Sequence, residues 1–165
     1  MVGGGVALGV FVADQAAKVA VLSSFAGAAE RTTAVAPFLD LALRWNRGIS
    51  FSLFVQNSAA GRAALLAFTA AAVALLVWWL TNSRTRLAAV GLGAIIGGAL
   101  GNAIDRIVYG AVVDYLDLHL AGRHLFVFNL ADAAINIGVL LLVIDLVFRP
   151  DLESRSIVSP QKGEK

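Results

Sequence analysis

Four long apolar runs dominate the order of hydrophobic and polar positions: Val2 to about Leu22, Ala63 to Leu80, Leu87 to about Ile104, and Ala131 to Phe148. A bilayer core of ~30 Å takes about 20 apolar residues in a helix, so each run is predicted to cross a membrane. The second is uninterrupted and ends in Trp78 and Trp79, placed as an interfacial belt. Asp14 and Lys18 break the first, with 13 residues ahead of the aspartate. A cleaved signal peptide is the weaker reading of that run, because no basic segment and no clear cleavage site follow Met1.

Between the runs the pattern changes. Thr32 to Trp45 alternates in part, which suits short strands lying at the membrane surface. Two further apolar-rich stretches flank Ala121-Gly122, read as a tight hairpin turn. If Leu120 pairs with Arg123, the register sets Asp114 opposite Asn129. Four crossings then leave both termini on one side and bring Ser23 to Arg62 and Asp105 to Leu130 together on the other. The tail from Pro150 is polar and reads as a disordered end.

Composition agrees. Hydrophobic residues make up 59% of the 165 and charged residues only 15%, against roughly 25% in a soluble domain. With a mean hydropathy of +0.80, a soluble globular protein is excluded. The 13 Lys and Arg are scattered singly under a net charge of +2, so no basic stripe follows a nucleic-acid backbone. Cysteine is absent, which removes disulfides, thiol nucleophiles and Cys-ligated metals. Lys and Arg counts on the two sides do not decide orientation. Arg84 and Arg86 in one short loop are the denser signal and favour that side as cytoplasmic.

Ionisable residues at a membrane are costly, so each asks for a reason. On the hairpin register Asp132 lies three residues beyond Asn129, in the first turn of the last helix, where it could meet Asp114. Two carboxylates that share a site do not both ionise easily, and one keeps its proton. One could then activate a water while the other protonates the carbonyl oxygen or leaving amine of a peptide bond. Equally open on spacing is the plainer reading, in which Asp132 is a helix N-terminal acid favoured by the dipole and Asp114 a loop acid.

Asn102, Asp105 and Arg106 close the third run. Arg106 and Asn102 could donate to substrate carbonyls, or the group is an end cap with Arg106 reaching to headgroups. Gly93, Gly97 and Gly101 recur every four residues and predict close helix packing, with Ala94 on a different face. Asp14 and Lys18 form an i,i+4 pair read as structural support. Asp145 falls near the opposite membrane face and is explained by Arg149 at i,i+4. His119 and His124 beside Asp117 would suggest a metal, but their spacing in one strand puts them on opposite faces, so no metal is expected.

These clusters together resemble the lipoprotein signal peptidases (signal peptidase II), aspartic proteases of the bacterial inner membrane. The resemblance rests on DQAAK at Asp14 to Lys18, NRGISFSLF at Asn46 to Phe54, GNAIDR at Gly101 to Arg106, GAVVDYLDLH at Gly110 to His119, and FNLADAAINIG at Phe128 to Gly138. It implies that Asp114 and Asp132 are the catalytic pair. It also implies that Asp14, Lys18, Asn46, Gly48, Asn102, Asp105, Arg106, Asn129 and Ala131 line or brace the substrate pocket.

The fold so implied is an all-α membrane protein: four transmembrane helices with a small extracytoplasmic β-cradle and a surface helix over the site. Residues 1–149 would form one integral membrane catalytic domain and 150–165 a polar cytoplasmic tail, with both termini cytoplasmic. The reaction would be hydrolysis just before a substrate Cys carrying a diacylglyceryl group. Prolipoprotein signal peptides and membrane lipids are the expected partners, with no nucleic acid, no cofactor and a monomeric enzyme. Two other readings are kept: a small proton- or ion-coupled transporter using the membrane-edge acids, and a structural subunit associating through its glycine face.

Overall fold

The structure, a computed structural model, describes residues 1–26, 32–48, 59–120 and 122–148. Helices form where the sequence is apolar: α1 (Val2–Ser24), α2 (Ala59–Thr81), α3 (Arg86–Val108) and α4 (Leu130–Phe148). At ~1.5 Å per residue the three longest reach about 34 Å, the thickness of a bilayer core. All four are long and apolar enough to cross a membrane. Local chemistry fixes their ends. Thr85, for example, caps α3 by accepting from the Ala88 N–H at 3.0 Å.

α3 is the central helix and packs on α4, α1 and α2. The predicted glycine row is what lets it do so. A Cβ added at Gly93 would strike the Gly3 carbonyl of α1, one at Gly97 the Ala7 carbonyl, and one at Gly101 the Asp14 carboxylate. Helices in lipid associate through such close contact rather than through a hydrophobic drive. Ala94, expected on a different face, is buried as well, because α3 is packed on more than one side, with Gly91 and Gly98 against α4. α2 has no buried residue at all.

Beyond one end of the bundle lies a four-stranded antiparallel sheet in chain order: β1 (Thr32–Ala36), β2 (Leu39–Asn46), β3 (Val112–Leu120) and β4 (Arg123–Phe128). The hairpin is as expected, with Leu120 opposite Arg123 and Gly122 at a φ of +76°, a left-handed conformation that suits glycine. The register is not. A bulge between Leu118 and His119 shifts the pairing by one residue, so β4 ends at Phe128 opposite Leu116 and Asp114 has no ladder partner on β4. Its backbone partner is Arg44 of β2. Val113 and Tyr115 pack on Val21 and Phe25 of α1, and alternation turns Asp114 to the other face of the strand.

The two histidines also need correcting. They face each other across the hairpin as cross-strand partners, with ring centroids 6.2 Å apart. Each takes its own carboxylate, His119 lying 3.2 Å from Asp40 and His124 2.9 Å from Asp117. Among the described residues no group of three such side chains is arranged to hold a metal ion. Among the described residues there is no surface helix beside the four spans, and the 150–165 tail is not among them.

Candidate active site

α4 begins with a reciprocal cap. Asn129 Oδ1 accepts from the Asp132 N–H at 2.9 Å, and Asp132 Oδ2 accepts from the Asn129 N–H at 3.4 Å. Asp132 thus sits in the first turn of α4, as the plainer reading has it, and this does not exclude the other. The cap holds the carboxylate at the helix start, where its second oxygen accepts from Asn102 Nδ2 at 2.8 Å.

Asp114 is held by amides too. Asn129 Nδ2 donates to its Oδ1 at 2.7 Å and Asn46 Nδ2 to its Oδ2 at 2.9 Å. Asn129 therefore touches both carboxyl groups, although the strand register differs from the one expected. Burial pushes the Asp114 carboxyl up to about 6; nearby Asp132 adds to this, while the amides of Asn46 and Asn129 and the charge of Lys18 pull the other way. Both acids border a cleft of about 860 Å³ walled by Trp45, Phe126 and Phe128. Beside it Tyr115 is pushed by burial to about 12, so it stays neutral, and its hydroxyl accepts from the Leu130 N–H at 3.3 Å.

Underneath sits a dry ion cluster. Lys18 Nζ lies 2.7 Å from Asp14 and 2.7 Å from Asp105, all three buried. Asp14 Oδ1 also accepts from the Ala131 N–H at 2.9 Å, which ties α1 to the first turn of α4. Asp105 Oδ2 accepts from the Val113 N–H at 3.1 Å, which ties α3 to β3. Asp14, Lys18 and Asp105 thus form one buried cluster, and Asp105 lies inside it rather than at the surface.

Asn102 links the two layers. Its Oδ1 accepts from Lys18 at 3.1 Å and from Asn129 at 3.1 Å, while its amide serves Asp132. Its amide nitrogen carries a second N–H besides the one given to Asp132. Arg106 donates to the carbonyls of Asn102 at 3.2 Å and Gly48 at 3.3 Å, and the Gly48 N–H donates to Asn46 Oδ1 at 3.0 Å.

Asp14, Lys18, Asn46, Gly48, Asn102, Asp105, Arg106, Asp114, Asn129, Ala131 and Asp132 therefore gather at this end. Asp145 does not; it lies at the far end of the bundle and accepts from Thr85 Oγ1. Its expected partner Arg149 lies outside the described residues. Gln15 was overlooked. Its amide contacts Asp14, Asp105 and the Gly101 carbonyl at 3.1 to 3.3 Å. Its signal in the sequence was a polar side chain next to Asp14 inside an apolar run.

A sequence model described as signal peptidase (SPase) II matches residues 6–148. The chain belongs to the signal peptidase II family. Among its relatives, the lipoprotein signal peptidase of Nitrobacter hamburgensis is 50% identical over 147 residues, covering 87% of this chain and 90% of that one. The lipoprotein signal peptidase of Beijerinckia indica is 49% identical over 145 residues, covering 88% and 87%. A solved structure described as a bacterial membrane enzyme superposes with a TM-score of 0.75 at 25% identity, covering 96% of this chain and 92% of that one. The chain is thus a multi-pass membrane protein and a protease that cleaves signal peptides from prolipoproteins. Nothing among these relatives favours the transporter reading.

Proposed function

We propose that this chain is an aspartic endopeptidase in which Asp114 and Asp132 hydrolyse the bond just before a diacylglyceryl-modified Cys. One observation carries the reading: two carboxyl groups, held by asparagine amides, border an aromatic cleft where the spans end. The ionised member takes a proton from water as the oxygen attacks the scissile carbonyl. The protonated member gives its proton to the carbonyl oxygen. On collapse the C–N bond breaks, the leaving amine takes up a proton, and the pair returns to one proton shared between two acids. Asn46, Asn102 and Asn129 position the acids. Asp14, Lys18, Asp105 and Ala131 brace the helices beneath, and Arg106 fixes the Gly48 segment beside them. No cofactor enters the reaction.

A site at the end of the spans suits this substrate, since the acyl chains and signal helix stay in lipid and only the scissile bond needs water. The reading places that end at the extracytoplasmic face of the inner membrane, with both termini cytoplasmic and the enzyme working as a monomer. The test is incubation of the purified full chain with one prolipoprotein, with and without its diacylglyceryl group. Release of the signal peptide only from the modified form is expected. Equal cleavage of both would overturn the lipid requirement, and cleavage of neither would overturn the whole reading.

A further inference from the structure

Arg47, Arg62 and Arg106 converge on a small cleft of about 10 Å³ just beyond β2, lined also by Asn46, Leu65 and Gly110. Arg62 comes from the first turn of α2 and Arg106 from the last turn of α3. The Arg62 guanidinium lies so near Gly110 that a Cβ there would stand 2.9 Å from Nη1. Three guanidinium groups at one cleft repel unless an anion joins them. Among the described residues no carboxylate lines it, and the sequence of 49–58 contains no Asp or Glu.

Arg106 shares the field of the nearby catalytic acids, but those are already engaged by asparagines, and Asp105 by Lys18. Arg47 and Arg62 make no ion pair among the described residues. The surroundings fix the depth. Trp45 and Tyr109 stand ring against ring at 5.6 Å, an aromatic pair of the kind found at headgroup level. Ile107 and Val108 are 63% and 62% exposed, an apolar flank next to the arginines at the end of a span.

We propose that Arg47, Arg62 and Arg106 bind the phosphate diester of an anionic phospholipid at the rim of the active-site cleft. The planar guanidinium matches two phosphate oxygens at once, and the apolar flank receives the start of the acyl chains. The test is native mass spectrometry of the full chain in detergent, titrated in separate arms with phosphatidylglycerol and with inorganic phosphate. Arg62→Gln and Arg47→Gln should each weaken phosphatidylglycerol binding by about tenfold, the loss of a charge-assisted hydrogen bond. Arg123→Gln, at the hairpin, should not weaken it. Equal binding by wild type and both cleft variants would overturn the proposal, as would equal weakening by Arg123→Gln. Loss of phosphate binding in Arg62→Gln with phosphatidylglycerol binding intact would overturn the lipid assignment. No substrate is present, so failure here leaves the hydrolytic reading untouched.

Discussion

Two pairs of aspartates occupy the same end of the bundle, and they differ in what lies between them. Asp14 and Asp105 share Lys18, with both contacts at 2.7 Å and all three groups sealed from solvent. Among the described residues Asp114 and Asp132 are bonded by amides and backbone N–H groups, and they border the cleft. One ammonium bonds both carboxyl groups of the first pair, so that pair ties helices together. The second pair has no ion-pair contact among the described residues, and burial favours the neutral form of Asp114, the state acid–base chemistry needs. Asn102, bonded to Lys18 and to Asp132, transmits the rigidity of one to the geometry of the other.

The sharpest way to break the comparison is to remove the cation. Lys18→Met leaves two buried acids unpaired, a defect of about 3–5 kcal/mol, and should abolish folding or lower the Tm steeply in a thermal melt in detergent. A Tm near wild type would mean that the lower pair does not brace the bundle. Next comes Gly97→Leu, which drives a side chain into the Ala7 carbonyl of α1 and moves the helix that carries Asn102 and Asp105. It should lower both Tm and cleavage far more than Gly9→Leu, whose site has open space around it. Equal behaviour of the two would remove the glycine row from the packing.

A smaller effect is expected from pH. Asp114 is raised from 3.8 to about 6 in the folded protein, so its ionisation disfavours the fold. That loss is absent below the unfolded value and is complete once pH has risen past the folded one. Relative to wild type, Asp114→Asn should therefore gain Tm between about pH 4 and pH 8. A difference flat with pH would mean that the group is not held in its neutral form. Smallest is Asp145→Asn. This acid lies 13 residues beyond Asp132, roughly 20 Å along the helix, and cleavage should stay close to wild type in the same assay. A large loss of rate with an unchanged melt would contradict its assignment to the far end.

The spans were legible because four apolar runs have almost no other use at this length. The dyad was legible for a narrower reason. A hairpin turn at Ala121-Gly122 and a helix start at Asn129 are local signals, and together they bring Asp114 and Asp132 to one end. What the sequence hid were relations that depend on tertiary packing. The bulge at Leu118 and His119 shifts the register without a mark in the pattern. Lys18 and Asp105 are far apart in the chain, and only the packing of α1 on α3 makes them partners. His119 and His124 were misread because residues five apart on one strand become neighbours once the chain reverses between them. Asn102 could be placed near the acids by spacing, but its commitment to Asp132 depended on how α3 meets α4.

The central claim is that Asp114 and Asp132 act as the hydrolytic pair while Asp14 and Asp105 only hold the frame. The most direct measurement is the rate of signal-peptide release from a diacylglyceryl-modified prolipoprotein by Asp114→Asn and by Asp132→Asn, each first shown by a thermal melt to be folded. An amide keeps the shape of the side chain but cannot take up and return a proton, so neither variant should turn over measurably. Substantial turnover by either folded variant would contradict the assignment of that residue to the pair.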